Sequence, residues 1–525
     1  MSARQGLRTS VQLRLTATPI NKVDVDILVL LISRAADDAI EIHTDALDQS
    51  ATAQLQQQLR AVGVDASLGS LARLPAPPGY AARSVLCIGV DSRSVADPRL
   101  DGGLRQPLSD ALRSLSPSEH IGLIAPDPEN LYPLALTAHL AMYAFEKYRH
   151  QGKSHRPSRR VEVCVPTSTP ERRRELKRAQ ALGDAVTWAR DLVNEPPNIL
   201  TPEALARHVV SVFGPLPVAV TVHDEHSLRN LGCVGTLAVG QGSSNPPTLL
   251  QLEYEPAGSI AEISFVGKGV TFDSGGISIK AAAGMDEMKS DMAGAAAVVA
   301  AVAAIARLRL PVTVRAYAPC AENMPGGSAQ RPGDILQMAD GTSVEVVNTD
   351  AEGRLLLADA LILASRRPCD AVVDVATLTS AQMIALGTQT AAVFANDEQL
   401  LKEIVSSGEW AGESVWHMPI PGFAREALAS KTADLTNVGG KWGAMLISAA
   451  FLREFVPGGQ PWAHLDIAGP AFSTESPRGA TPSGGTGFGV ATLVELARRL
   501  AGSDSAPKTQ VRSRAAHTPD ERSSP

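Results

Sequence analysis

The feature that most constrains this chain is a set of charged residues standing directly at the ends of apolar runs. Residues 348–355 read Asn-Thr-Asp-Ala-Glu-Gly-Arg-Leu, and a lysine and two aspartates occupy similar positions upstream. Like charges at the end of a core element are unfavourable unless cations neutralise them. Carboxylates with one nitrogen ligand suit a pair of divalent metal ions in a hydrolytic site. The residues expected to converge there are Lys268, Asp273, Asp291, Asp350, Glu352 and Arg354.

The first of these residues follow an apolar, β-prone run at positions 263–266. Glycines come soon after it, at positions 267, 269, 275 and 276, which predicts a buried strand that runs into a loop. Lys268 and Asp273 are then expected beyond the C-terminal end of the strand, where open α/β sheets place their ligands.

The remaining acidic residues precede helix-like runs. Asp291 comes before an alanine-rich tract that ends at position 306, which predicts an N-cap or first-turn position. Asp350 and Glu352 lie between a strand-like run at 343–347 and a helix-like run at 354–364. Their spacing within a turn allows both carboxylates to reach one ion.

Each residue taken alone has a simpler interpretation. An aspartate before a helix is usually a cap, and a lysine at a strand end is usually solvated or salt-bridged. Gly-Lys-Gly at 267–269 is not part of a Gly-x-x-x-x-Gly-Lys-Ser/Thr pattern, so a phosphate loop is rejected. Two ordered motifs that both carry polar residues into apolar surroundings favour the functional interpretation.

Several segments resemble the leucyl aminopeptidase (cytosol aminopeptidase) family. The most specific are residues 266–280, 285–292 and 348–355. Further matching segments follow in family order, at 194–198, 322–326, 331–334, 376–379, 464–469 and 486–490. The first 170 residues resemble the family only in length and general character.

The resemblance implies that two divalent ions, Mn²⁺ or Zn²⁺, share one site. The tighter ion would be bound by four residues and the more exchangeable ion by three, with Asp273 and Glu352 bridging both. The ligating lysine has to be neutral, which an arginine could not be. The implied ligands are Lys268, Asp273, Asp291 and Glu352 for the first ion, and Asp273, Asp350 and Glu352 for the second.

The implied reaction is hydrolysis of the peptide bond after an unblocked N-terminal residue, by a hydroxide bridging the two metals, with leucine and other apolar residues preferred. Lys280 would polarise the scissile carbonyl. Arg354, together with Leu378, would bind a possible bicarbonate ion that acts as general base. Met288 and Thr377 would belong to the side-chain pocket. No histidine lies in the metal motifs.

The expected fold is α/β with two domains, because 525 residues exceed one ordinary core and β-prone runs alternate with helical ones. An N-terminal α/β domain would span residues 1–170, with strand-like runs at 23–32 and 84–89. A larger catalytic domain, 194–502, would have a mixed central sheet flanked by helices. Residues 171–193 are expected to form a charged helical connector, and residues 503–525 a disordered tail.

Composition indicates a cytoplasmic protein. The five cysteines are scattered without a Cys-x-x-Cys pattern, so neither a disulfide framework nor a zinc knuckle is implied. The N-terminus lacks an apolar signal region. The longest uncharged apolar tract, 292–306, is shorter than a membrane span of about 20 residues, so no membrane association is expected.

Peptides are the expected substrates, and the resemblance implies a homohexamer. Between Lys147 and Arg178 there are eleven Lys/Arg and three Glu, a bias that could contact nucleic-acid phosphates but favours a solvated linker. Three alternatives remain: a dipeptidase for Cys-Gly, a DNA-binding accessory factor on the aminopeptidase fold, and an inactive scaffold. The scaffold is disfavoured because every metal and catalytic position is intact. Ser380 stands where the family commonly has glycine, which leaves the pocket depth open.

Overall fold

The computed structural model describes residues 11–35, 38–96, 103–125, 131–149 and 159–502. The tail predicted to be disordered, residues 503–525, lies outside the described residues, as do residues 150–158 of the basic segment.

The first sheet is built from chain that precedes residue 165, and among the described residues it has seven strands. They run in the order β1-β7-β6-β2-β5-β4, with β3 paired to β2. Only β3 and β4 are antiparallel to their neighbours. The strands are β1 (Val11–Thr16), β2 (Ile27–Arg34), β3 (Ile40–Ile42), β4 (Leu71–Pro75), β5 (Ser84–Gly89), β6 (Ile121–Ile124) and β7 (Arg159–Cys164), with helices α1 (Gln49–Ala61), α2 (Ser92–Ala96), α3 (Arg105–Ser114) and α4 (Leu131–Ala141).

A long helix, α5 (Pro170–Asn194), follows the first sheet. The hydroxyl of Thr169 caps it by accepting a hydrogen bond from the amide of Arg172 at 3.3 Å, and Pro170 begins it. Prolines at positions 196 and 197 prevent its continuation. The predicted connector, 171–193, falls within this helix, and the domain boundaries stay a prediction.

The second sheet lies in the larger, C-terminal part of the chain and is also mixed. Its order is β17-β16-β19-β15-β10-β12-β9-β8, with β11 paired to β12. Its strands are β8 (Ala219–His223), β9 (Thr248–Tyr254), β10 (Glu262–Gly267), β11 (Gly269–Asp273), β12 (Thr313–Asn323), β15 (Ala371–Ala376), β16 (Thr390–Ala395), β17 (Ser414–His417) and β19 (Trp462–Asp466); small sheets are formed by β13 (Ile335–Gln337), β14 (Ser343–Glu345) and β18 (Leu435–Thr436), and by β20 (Phe472–Ser473) and β21 (Gly484–Gly485).

Helices cover both faces of this sheet. Successive side chains of a strand point to opposite faces, and in the central strands apolar side chains occur on both faces, so both have to be covered. Ile263 and Phe265 of β10 pack into one buried cluster with α9 and α15, and Val266 packs into another with α10 and α14. The helices are α6 (Pro202–Phe213), α7 (Glu225–Leu231), α8 (Val234–Gly240), α9 (Ala293–Leu308), α10 (Gly353–Ala364), α11 (Ser380–Leu386), α12 (Glu398–Ala411), α13 (Gly422–Glu426), α14 (Ala444–Glu454) and α15 (Val490–Leu500); short 3₁₀ helices occur at Ile20–Lys22 and Met285–Ser290.

The helical segment Met285–Leu308 is, by length and composition alone, apolar enough to cross a membrane. Most of it is buried inside the protein, and every residue of α9 from Ala293 to Ala306 is buried. Its apolar composition is therefore explained by its place in the core, as expected for the alanine-rich tract.

The expected fold class, a two-domain α/β protein with a mixed catalytic sheet, is confirmed. Two of the local predictions for strands were wrong. Strand β2 begins at Ile27 rather than at residue 23. Residues 269–273, predicted as loop, form β11, because the absence of a side chain at Gly269 allows close pairing with β12; a Cβ there would lie 2.6 Å from the carbonyl oxygen of Pro319. The loop begins after Asp273, with Gly275 and Gly276 at φ of 87° and 67°.

Candidate metal centre

Four neighbouring parallel strands of the second sheet end together at one edge. Polar residues stand at this edge: Lys268 follows β10, Asn323 ends β12, Thr377 follows β15 and Asp466 ends β19. All except Thr377 are buried. The carboxyl ends of parallel strands are where α/β sheets place their ligands, and the candidate centre lies here.

Three carboxylates form the heart of the centre. Asp273 is the last residue of β11, Asp350 lies in the turn after β14, and Glu352 is the N-cap of α10. Each offers one oxygen, and these oxygens lie within 4.8 Å of one another. Burial and the charge of Glu352 raise the pKa of Asp273 to about 6. The turn thus brings together carboxylates that would repel one another without a cation.

Lys268 lies beneath this cluster, in the break between β10 and β11. Its Nζ lies 2.8 Å from Asp291 Oδ1 and 2.8 Å from Glu352 Oε1, and it donates a hydrogen bond to the carbonyl of Thr377 at 3.0 Å. Burial acts to lower the pKa of Lys268, but the carboxylates, with Asp291 the largest contributor, raise it above its ordinary value. The amine therefore lies between two of the carboxylates that the resemblance implies as its fellow ligands.

Asp291 does not cap α9 as predicted. It follows the 3₁₀ helix Met285–Ser290, and Met292 stands at the N-cap of α9. The Asp291 carboxylate instead accepts hydrogen bonds from Lys268 Nζ and from the hydroxyl of Thr377, at 2.8 and 2.7 Å. The charge-assisted hydrogen bond from Lys268 and the bond from the Thr377 hydroxyl replace a bond to the helix end. Burial raises the pKa of Asp291 well above its ordinary value.

Lys280 forms ion pairs with the other two carboxylates of the cluster. Its Nζ lies 2.8 Å from Asp273 Oδ2 and 2.6 Å from Asp350 Oδ1. Its side chain is 24% exposed, whereas that of Lys268 is 3% exposed. The two lysines therefore differ in access to solvent.

The donor set fits divalent cations. Asp291 Oδ2 and Glu352 Oε2 are buried and have no hydrogen-bond partner within the described part of the chain. Buried carboxylate oxygens are normally satisfied, so unpartnered ones beside other carboxylates fit a positively charged ligand. Oxygen-rich sets of this kind suit hard ions such as Mn²⁺.

Arg354, in the first turn of α10, is buried beside the centre. It donates to the carbonyl of Asn437 at 2.6 Å and to the hydroxyl of Ser448 at 2.7 Å. Its Nε has no hydrogen-bond partner among the described residues, and burial lowers the pKa of Arg354 to about 10. Leu378 is half-buried, and its amide donates to Asp466 Oδ1 at 3.1 Å.

The two predicted pocket residues occupy different positions relative to the centre. Thr377 contacts both Lys268 and Asp291, as described above. Met288 is half-buried in the 3₁₀ helix, and its carbonyl accepts a hydrogen bond from the amide of Asp291 at 3.2 Å. Both residues thus flank Asp291.

Sequence reasoning missed three buried residues that support the centre. Asn323 donates to Asp273 Oδ1 at 2.8 Å and to the carbonyl of Thr349 at 3.0 Å. Asp466 accepts from the amide of Leu378 and the hydroxyl of Thr379. Asn437 contacts the turn that carries Asp350. A polar residue ending a long buried run, as Asn323 does, was the one available signal.

Comparisons with known proteins show the family of this chain. The model of the cytosol aminopeptidase family, catalytic domain, matches residues 187–494. A probable cytosol aminopeptidase of Micrococcus luteus is 43% identical over 498 residues, covering 92% of this chain and 97% of the relative. One from Nocardia farcinica is 43% identical over 497 residues, covering 91% and 95%.

Among solved structures, the bottromycin maturation enzyme BotP in complex with Mn is similar, with a TM-score of 0.79 and 38% identity over 91% of this chain and 99% of that one. The cytosol aminopeptidase from Coxiella burnetii has a TM-score of 0.77 and 29% identity, covering 90% and 97%.

Proposed function

Because the chain belongs to the cytosol aminopeptidase family of peptide hydrolases, we propose that it removes unblocked N-terminal residues, preferring leucine and other apolar ones, with two divalent metal ions. The observation that carries the proposal is the convergence of Asp273, Asp350 and Glu352 beside the buried pair formed by Lys268 and Asp291.

These five residues would hold the ions, with Asp273 and Glu352 shared between them. When bound, such a metal pair supplies Lewis-acid chemistry, lowering the pKa of water and stabilising negative charge on oxygen. The carboxylate-rich set and the manganese complex of the similar BotP support Mn²⁺, and Zn²⁺ is the alternative. Lys268, as a ligand, would have to lose its proton when metal binds.

Lys280 would act on the substrate rather than on the metals. Its Nζ contacts two carboxylates of the centre, yet its side chain reaches solvent, unlike that of Lys268. An ammonium group in this place can donate a hydrogen bond to the scissile carbonyl and stabilise the developing oxyanion.

Together with Leu378, Arg354 would bind a bicarbonate ion, and this ion would act as the general base. Its unpartnered Nε and the absence of any carboxylate ion pair to it within the described residues support an anion beside it. A buried guanidinium held only by neutral acceptors keeps its charge available to such an anion.

Met288 and Thr377 would line the pocket for the N-terminal side chain. Their support is their position on either side of Asp291, a proposed ligand of the ion that binds most tightly. An apolar preference would follow from Met288, while Ser380, exposed at the start of α11, leaves the depth of the pocket open.

We further propose that the enzyme is a cytoplasmic homohexamer, on the strength of its family. Within the described residues, the contacts of the basic segment do not favour nucleic-acid binding. In the described part of the basic segment, Arg178 pairs with Glu495 at 3.2 Å, and Arg172 and Arg173 bond to the N-terminal approach of α5. These contacts support the linker interpretation.

The proposal is tested on protein stripped of metal with a chelator. Hydrolysis of leucine anilide should disappear and return with Mn²⁺ or Zn²⁺. Glu352→Gln should abolish activity with either metal. Glu345→Gln should leave activity intact, because among the described residues the Glu345 carboxylate bonds only to hydroxyl groups. Full activity of the stripped protein would refute the metal mechanism, and a panel including Cys-Gly would identify a dipeptidase.

A further inference from the structure

Asn437 is a fully buried asparagine directly after β18 that uses all of its hydrogen-bonding groups. Its Nδ2 donates to the carbonyl oxygens of Asn348 and Ala351, at 2.7 and 3.3 Å. Its Oδ1 accepts from the amides of Val347 and Asn348, at 2.8 and 3.3 Å. A buried amide satisfied on both sides fixes the segment that it bonds to.

These bonds extend a sheet beyond its last strand pair. Strands β14 and β18 pair in parallel from Val344 and Leu435 to Glu345 and Thr436, and the amide of Asn437 donates to the carbonyl of Glu345 at 2.9 Å. Beyond this point the Asn437 side chain takes the place of a neighbouring strand's backbone. The turn that follows β14 therefore gains partners that its own sequence does not provide.

The same residue also reaches Arg354. Its carbonyl oxygen accepts a hydrogen bond from Arg354 NH1 at 2.6 Å. Asn437 thus contacts the chain before Asp350, the residue between Asp350 and Glu352, and the first turn of α10. One residue from a distant part of the chain therefore forms hydrogen bonds to the segments that carry Asp350, Glu352 and Arg354.

We propose that Asn437 is a positioning residue for the metal centre, holding the turn that carries Asp350 and Glu352 in the conformation that binds the ions. The inference rests on the proposed metal-dependent function. Mutually repelling carboxylates in a turn would separate unless their backbone were held in place. Mutation of a residue that holds metal ligands in this way typically lowers metal affinity by about 10- to 100-fold.

The test is Mn²⁺ binding to the full chain, measured by isothermal titration calorimetry and metal analysis. Asn437→Ala should weaken binding about 10- to 100-fold. Asn437→Asp keeps the shape and the two accepted bonds but cannot donate to Asn348 and Ala351, so it should weaken binding at least as much. Thr436→Val is the matched control, because the Thr436 hydroxyl bonds only to the nearby carbonyl of Val438.

A further readout separates positioning from loss of fold. Saturating Mn²⁺ should restore most of kcat in both Asn437 variants while KM changes little, and each variant should still unfold cooperatively without metal, at a lower temperature than Thr436→Val because buried groups lose their partners. Wild-type affinity in either Asn437 variant, or an equal loss in Thr436→Val, would overturn the inference. If the wild-type protein bound no Mn²⁺, the proposed function itself would fail first.

Discussion

Replacing Lys268 by methionine tests whether charge neutralisation holds the centre together. Lys268 Nζ forms two ion pairs at 2.8 Å with side chains that are almost fully buried. With an effective dielectric constant of about 20, each pair contributes about 6 kcal/mol of Coulomb attraction, which desolvation largely offsets. Removing one partner of a buried pair typically destabilises a protein by about 3–5 kcal/mol, and we expect a loss of that size without metal.

The loss should depend on pH. Burial already raises the pKa of Asp291, so a proton can partly replace the missing ammonium group. An acid whose pKa is raised in the folded state contributes most stability at low pH and loses it as pH rises through that pKa. The deficit of Lys268→Met relative to wild type should therefore grow as pH rises through the raised pKa of Asp291.

Urea unfolding in chelator and in Mn²⁺ provides the assay. Bound dications would neutralise Asp291 and Glu352, so the deficit should shrink in Mn²⁺ although the variant binds it more weakly. Lys402→Met, which removes an exposed lysine paired with Glu398, should change stability by less than about 0.5 kcal/mol. No deficit for Lys268→Met in chelator, or one that Mn²⁺ leaves unchanged, would refute the electrostatic reasoning.

Three other predictions concern neighbouring residues. Lys280→Ala should lower kcat by about 10²–10³-fold with metal content unchanged, since it removes the proposed oxyanion donor; metal loss measured in the purified variant would mean that Lys280 is a ligand. Arg354→Lys should abolish any stimulation of peptide hydrolysis by added bicarbonate, because an ammonium group lacks the planar guanidinium donors; persisting stimulation would contradict the anion site. Burial raises the pKa of Asp359 to about 7. The contribution of Asp359 to the free energy of unfolding should therefore fall as pH rises from 4 to 8, by about 4 kcal/mol at most. Asp359→Asn should therefore gain in melting temperature relative to wild type over that range, and a constant difference would show that Asp359 does not titrate there.

Local patterns predicted much of the fold. The strand at 84–89 and the helix ending at Ala364 lie where hydrophobic runs and glycine punctuation placed them. Motifs also predicted that Asp350 and Glu352 would share a turn at the start of a helix. Such features depend on neighbouring residues, whose side chains are fixed relative to one another by backbone geometry.

Contacts between distant segments could not be predicted in this way. Whether residues 269–273 form a loop or a strand depends on β12 being close enough to pair with them, and the partner of Asp291 depends on Lys268 lying across the sheet. Asn437 is unremarkable as a residue in sequence, since asparagine is common in turns.

Residue type and short-range periodicity predict which residues are candidates for the chemistry and which local element each one ends. They do not predict which buried amides and amines hold those residues in place. Hydrogen bonds such as those of Asn437 to Asn348 and Arg354 join segments far apart along the chain, and they exist only after the sheet has brought the segments together.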